Sequence, residues 1–155
     1  MDYSLTQSLS LIPTNWKAQG RIYGEACEFW IEEHLPCPSC GGKLTKLTAN
    51  EKSIDHTCSS CSANWQAKAS KSKLLRRDGA MKITGAEYQT TLSRVGEWGI
   101  IAIQYCKDEN KVLDVRTVSA DKITKDCIIP RKPLSQNARR AGWQGCYILL
   151  EGVGV

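Results

Sequence analysis

A chain of 155 residues, 41% hydrophobic and 24% charged, carries enough apolar material for one sizeable core and is expected to form a single domain over residues 1–155, with disorder only at its ends. This balance excludes a collagenous or low-complexity polymer. No run approaches the ~18 apolar residues of a membrane span, and Met1 to Thr14 lacks the pattern of an export signal, which predicts a cytoplasmic protein; the formal charge of +5 suits a polyanionic partner.

In chain order, Trp16 to His34 sets Ile22, Ala26, Phe29 and Trp30 near helical spacing with Glu25, Glu28, Glu32 and Glu33 between them. That predicts an amphipathic helix ending at Pro36. Short strands are expected over Lys43 to Leu47, Ile54 to Thr57 and Asn64 to Ala69, as neighbours in one sheet. A basic stretch, Lys71 to Arg77, leads through Asp78-Gly79-Ala80 to a weakly helical Ala86 to Val95, closed by Gly96. Gly99 to Tyr105 reads as a buried strand and Lys111 to Val118 as its alternating neighbour, with Asp108, Glu109 and Asn110 as the turn. Thr124 to Gly145 shows no period, and Cys146 to Leu150 is a last strand. With no repeat and no linker, the expected class is α/β: a mixed sheet flanked by helices, with a metal knuckle on one edge.

Of eight cysteines, Cys37 and Cys40 form one C-x-x-C pair and Cys58 and Cys61 a second, seventeen residues apart. Two tight turns offering two thiolates each suit tetrahedral zinc, and without an export signal metal is favoured over disulfides. Gly41 and Gly42 suit the backbone of such a turn. Four protein ligands leave no open position, so the zinc held by segment 37–61 is expected to be structural. Cys27, Cys106, Cys127 and Cys146 stand singly and read as small buried hydrophobes.

One strand and turn separate Asp55 from Gln66-Ala67-Lys68. In a strand Gln66 and Lys68 share a face, and an adjacent strand can bring Asp55 beside them. Such a cluster can hold Mg²⁺ through Asp55, a second oxygen and a backbone carbonyl, with Lys68 positioning water at a phosphodiester; the same residues also fit a solvated sheet edge. Lys71, Lys73, Arg76 and Arg77 follow, and Arg131, Lys132, Arg139, Arg140 and Trp143 form a second basic cluster. The first is a candidate to neutralise DNA phosphates and the second to contact bases, an arginine taking guanine and the Trp143 face walling an added methyl group, although a charge run also suits a solvated face and Trp143 a core position. His34 and His56 are unassigned, with His56 a candidate phosphate contact.

The stretch Ile129-Pro130-Arg131-Lys132-Pro133-Leu134 together with Ala138-Arg139-Arg140-Ala141-Gly142-Trp143-Gln144-Gly145-Cys146 resembles the signature of the DpnI-type restriction endonucleases, which include the Dam-replacing proteins. Gly20-Arg21-Ile22, the first knuckle, an aspartate before the second knuckle, a lysine after it and Asp78-Gly79-Ala80 occur in the same order. The resemblance, from about Arg21 to Ile148, implies a PD-(D/E)XK nuclease core that cuts double-stranded DNA at GATC when its adenines are N6-methylated, with Mg²⁺ as catalytic metal. By position it makes Asp55 the metal-binding aspartate and Lys68 the catalytic lysine, and Ala67 supplies a carbonyl to the metal. Gln66 stands where the family usually has glutamate. The resemblance also implies methyladenine sensing near Trp143 and its arginines. DpnI-type relatives continue into a winged-helix domain, which is not expected within these 155 residues. The resulting expectation is a type II-like, Mg²⁺-dependent endonuclease; the alternative is a weak or inactive module that binds methylated DNA. Oligomeric state is left open.

Overall fold

The computed structural model describes residues 1–48 and 54–153. Residues 49–53, inside the expected zinc segment, and 154–155 lie outside that description. In chain order the elements are α1 (Thr6–Ser10), α2 (Gln19–His34), β1 (Leu44–Lys46), β2 (His56–Cys58), β3 (Asn64–Ser70), β4 (Met81–Glu87), α3 (Tyr88–Ser93), β5 (Gly99–Cys106), β6 (Lys111–Val118), β7 (Ile128–Pro130) and β8 (Gly145–Leu150). Single 3-10 turns at Ala120–Lys122 and Lys125–Cys127 precede β7.

The larger sheet has the order β1-β2-β3-β5-β6, with β3 and β5 parallel and the other pairs antiparallel. A second sheet, β4-β8-β7, is antiparallel throughout. The apolar run of β5 is explained by what covers its two faces. Ile101 and Ile103 pack with Tyr23, Cys27, Trp30 and Ile31 of α2. Ile100 and Ala102 pack with Met81, Ile148 and Leu150 of the smaller sheet. A strand covered on both sides gains from apolar residues at every position, whereas β6 is only partly covered and alternates. The architecture is mixed α/β with flanking helices, as expected, but the strands divide between two sheets.

Several boundaries move for local reasons. α2 begins at Gln19, and Trp16 lies outside it under the Arg21 guanidinium, 4.0 Å from its ring centroid. It ends at His34, and the Leu35 that follows has the extended backbone that a succeeding proline demands. The second helix is shorter than its pattern suggests, because β8 claims Gly85 to Glu87 as strand. Glu87 then caps α3, its carboxylate accepting from the backbone N–H groups of Gln89 and Thr90. The N-terminus is ordered onto β6: Leu5 N–H donates to the Asn110 carbonyl at 2.7 Å, and Val112 N–H donates to the Tyr3 carbonyl at 2.7 Å. Gly99 has a steric reason, since a Cβ there would lie 2.6 Å from the Trp65 ring and 2.7 Å from the Val118 carbonyl oxygen. Among the described residues no helix is long and apolar enough to cross a membrane.

Candidate active site

β3 runs through the middle of the larger sheet, and its alternation places Gln66 and Lys68 on one face. β2 pairs with it antiparallel, His56 opposite Trp65, and Asp55 immediately precedes β2 at the end of that pairing. Asp55 N–H donates to the Trp65 carbonyl at 2.9 Å. Its side-chain Oδ2 accepts from Ala67 N–H at 2.7 Å. A carboxylate oxygen thus stands where a strand carbonyl would, at the edge where β2 begins. The structure brings Asp55, Gln66 and Lys68 together, with the Asp55 charge acting on Lys68.

A fourth group, Glu28, was not singled out in the sequence. Glu25, Glu28 and Glu32 lie at i, i+3 and i+7 and so form one stripe along α2. That stripe faces the β1–β2 edge. Lys46 Nζ pairs with Glu25 at 2.6 Å, and Lys46 N–H donates to Glu32 Oε2 at 2.6 Å. Glu28 stands close enough to Asp55 for the two carboxyls to act on each other. Burial first, then repulsion from Asp55 and Glu25, pushes the Glu28 pKa up to about 8 despite Lys46. The stripe was visible in the sequence as helical spacing of acids, but only the fold distinguishes Glu28 from Glu25 and Glu32.

Gln66 is buried and its Oε1 has no hydrogen-bond partner. Buried carbonyl oxygens are rarely left so. The half-buried Lys68 ammonium has its pKa pulled down by burial, against the opposing charges of Asp55, Cys146 and Glu28. An orphan amide oxygen on the residue next to Ala67, whose N–H the Asp55 carboxylate accepts from, fits the oxygen-only preference of a hard divalent cation. Ala67, half-buried between them, has a backbone carbonyl able to join the set. His56 does not reach a phosphate: it is fully buried, its Nε2 lies 2.8 Å from the Glu28 carbonyl, and burial pushes its pKa down.

The cysteines converge as their spacing predicts. Cys37 and Cys61 sulfurs are 3.8 Å apart, Cys40 and Cys58 sulfurs 3.4 Å, and all four fall within 4.8 Å of one another. A zinc tetrahedron with bonds of ~2.3 Å has edges of about 3.8 Å, so the group can hold a metal such as zinc. The backbone N–H of Cys61 and then that of Ser60 bring the Cys58 thiol down to about 6, outweighing burial. Gly41 takes the left-handed turn at φ 78°, and a Cβ on Gly42 would lie 2.7 Å from Ser60 Oγ. Of the single cysteines, Cys27 and Cys146 are buried, while Cys106 and Cys127 are partly exposed.

Lys71, Lys73, Arg76 and Arg77 are exposed between β3 and β4, with Arg76 paired to Asp78 at 3.2 Å. Arg131, Lys132, Arg139 and Arg140 are exposed in the β7–β8 loop, whose base is closed by Arg131 N–H to the Gly145 carbonyl and Leu134 N–H to the Trp143 carbonyl. Trp143 is half-buried: its ring lies so close to Gly145 that a Cβ there would approach to 2.9 Å, and the Arg140 guanidinium sits 4.5 Å over the ring. The family model described as DpnI: Dam-replacing family matches residues 1–154.

Proposed function

The chain belongs to the DpnI, Dam-replacing family, and from that premise we propose that it is a restriction endodeoxyribonuclease that cuts duplex DNA at GATC when its adenine is N6-methylated. The observation that carries this reading is the meeting of Asp55, Gln66, Lys68 and Glu28 at one edge of β3. On the same reading residues 1–155 are one PD-(D/E)XK-type domain with the zinc segment embedded in it.

Asp55, the Gln66 side-chain oxygen and the Ala67 carbonyl would hold Mg²⁺, which when bound supplies Lewis-acid stabilisation of charge on the phosphate. Glu28 sets a second carboxyl beside Asp55, which would make up the charge lost where glutamine replaces glutamate once a bound cation displaces its proton. Lys68 orients the attacking water and offers its charge to the phosphate oxygens. The water oxygen bonds to phosphorus and its proton passes to solvent. The bond to the leaving strand breaks, and the departing oxygen takes up a proton. Lys71, Lys73, Arg76 and Arg77 would hold flanking phosphates, while Arg131, Lys132, Arg139, Arg140 and Trp143 would contact bases and backbone in the groove.

The test is one plasmid, methylated or unmethylated at GATC, incubated with the protein and Mg²⁺. Cutting of the methylated form alone is expected; cutting of both forms alike, or of neither, overturns the reading. The neutral Gln66 favours a second reading, a binder of methylated DNA that does not cut. Gln66→Glu separates the two: a gain of cleavage marks an attenuated enzyme, and unchanged inactivity with retained methyl-specific binding marks the binder.

A further inference from the structure

We propose that the cavity walled by Lys68, Lys73 and Lys82 is a second phosphate site, which seats the backbone of the bound DNA strand beyond the scissile phosphate and joins the two basic segments into one track. The cavity, of about 390 Å³, lies between the end of β3 and the edge strand β4, and Ser70 and Thr84 add hydroxyls to its wall. Among the described residues no acidic side chain lines it. Among the described residues no carboxylate pairs with Lys73 or Lys82. Three lysines around one hollow, two of them without a counter-charge, repel one another until an anion enters.

A second observation extends the site. Lys82 Nζ lies 4.1 Å from the centroid of the Tyr147 ring, and the Arg131 guanidinium lies 5.1 Å from the same centroid. The register explains the meeting. Tyr147 of β8 is directly opposite Thr84 of β4 and Ile129 of β7, and Lys82 and Arg131 are each two residues from those partners, so all three side chains share one face. The ring holds the Lys82 ammonium and bridges the cavity to the Arg131 loop. A row of cations from Lys68 through Lys82 to Arg131 outruns one phosphate, which favours a polymer over a free anion. Lysines and hydroxyls of this kind contact the backbone without reading sequence.

The inference rests on the nuclease reading, and the experiment separates the two. Binding of a fluorescent duplex carrying methylated GATC is measured by anisotropy across a salt series, with Ca²⁺ in place of Mg²⁺. Lys82→Met keeps an unbranched side chain beside Tyr147 and removes the charge. The slope of log affinity against log salt is expected to fall by about 1 in Lys82→Met and about 2 in Lys73→Met/Lys82→Met. Lys122→Met, in a different cavity beside Pro38 and Ser39, is expected to leave it unchanged. An unaltered slope in Lys82→Met, or an equal fall in Lys122→Met, overturns the proposal while the nuclease reading stands. If Lys82→Met abolishes binding of inorganic phosphate but leaves the DNA slope intact, the site takes a small anion and the proposal fails. A parent protein that does not bind the duplex at any salt overturns both readings before any variant is made.

Discussion

The Asp55 side chain and the Ala67 backbone are joined by a 2.7 Å hydrogen bond across the edge of β3. The carboxylate therefore completes the strand pairing with one oxygen and leaves the other to the site. Asp55→Asn keeps an oxygen acceptor and removes the charge. We expect a stability loss below about 1.5 kcal/mol by thermal denaturation, and a fall in cleavage of methylated plasmid of about 100-fold or more, beyond the 10–100-fold typical of an outer-shell defect. A large loss of stability with cleavage retained would make Asp55 a structural cap only.

Glu28 predicts a pH dependence of folding. Its folded pKa of about 8 lies above the ordinary 4.5, so the stability it contributes is fully present below about pH 4.5 and is lost as pH rises through 8. In metal-free protein Glu28→Gln should be the more stable chain at pH 9 and show little advantage at pH 4.5. Melting curves at the two pH values check this. Parallel curves for parent and variant would show that Glu28 is not held protonated.

Lys68 should cost stability for the sake of activity. Its folded pKa is depressed, so its contribution is fully present above the unfolded value of about 10.4 and is lost as pH falls through the folded value. Lys68→Met should therefore melt higher than the parent near pH 7 while cleavage falls by about 10²–10⁴-fold. A variant that melts lower would place the ammonium in a supporting network instead.

Removal of metal from the cysteine cluster should loosen the sheet at its β1–β2 end. Elemental analysis is expected to find one zinc per chain, and Cys58→Ser to lower stability by more than about 4 kcal/mol, the scale on which loss of a structural metal falls. Full retention of the melting transition after chelation would assign the four sulfurs to another role.

The parts of the fold legible in the sequence are those whose signal is local. Two C-x-x-C pairs specify their own meeting, the apolar Gly99–Cys106 run reports burial on both faces, and the spacing of Ile22, Ala26, Phe29 and Trp30 reports a helix, although the face it buries is that of Tyr23, Ala26, Cys27, Trp30 and Ile31. Met81–Glu87 alternates in truth, Met81 and Ile83 inward and Lys82 and Thr84 outward, but Gly85 interrupts the pattern where a side chain would strike Cys146 Sγ at 2.5 Å. β7 is three residues long, too short for any period. The candidate site divides likewise: Asp55, Gln66 and Lys68 lie close in sequence, whereas Glu28 reaches them from a helix across more than a score of residues, a distance over which spacing carries no information.

The parallel pairing of β3 with β5 orders events during synthesis. β1, β2 and β3 form a local antiparallel meander that can close around metal while the ribosome is still making β4, and such short-range contacts form early. The strand bearing Gln66 and Lys68 then presents a bare edge until Gly99–Cys106 emerges. An unpaired edge is the part of a nascent sheet most open to wrong partners. The cysteine-bearing hairpin thus shields one flank of the site's strand before the other exists, and if it closes on metal, a shortage of that metal would be felt first as aggregation of new chains rather than as failure of finished ones.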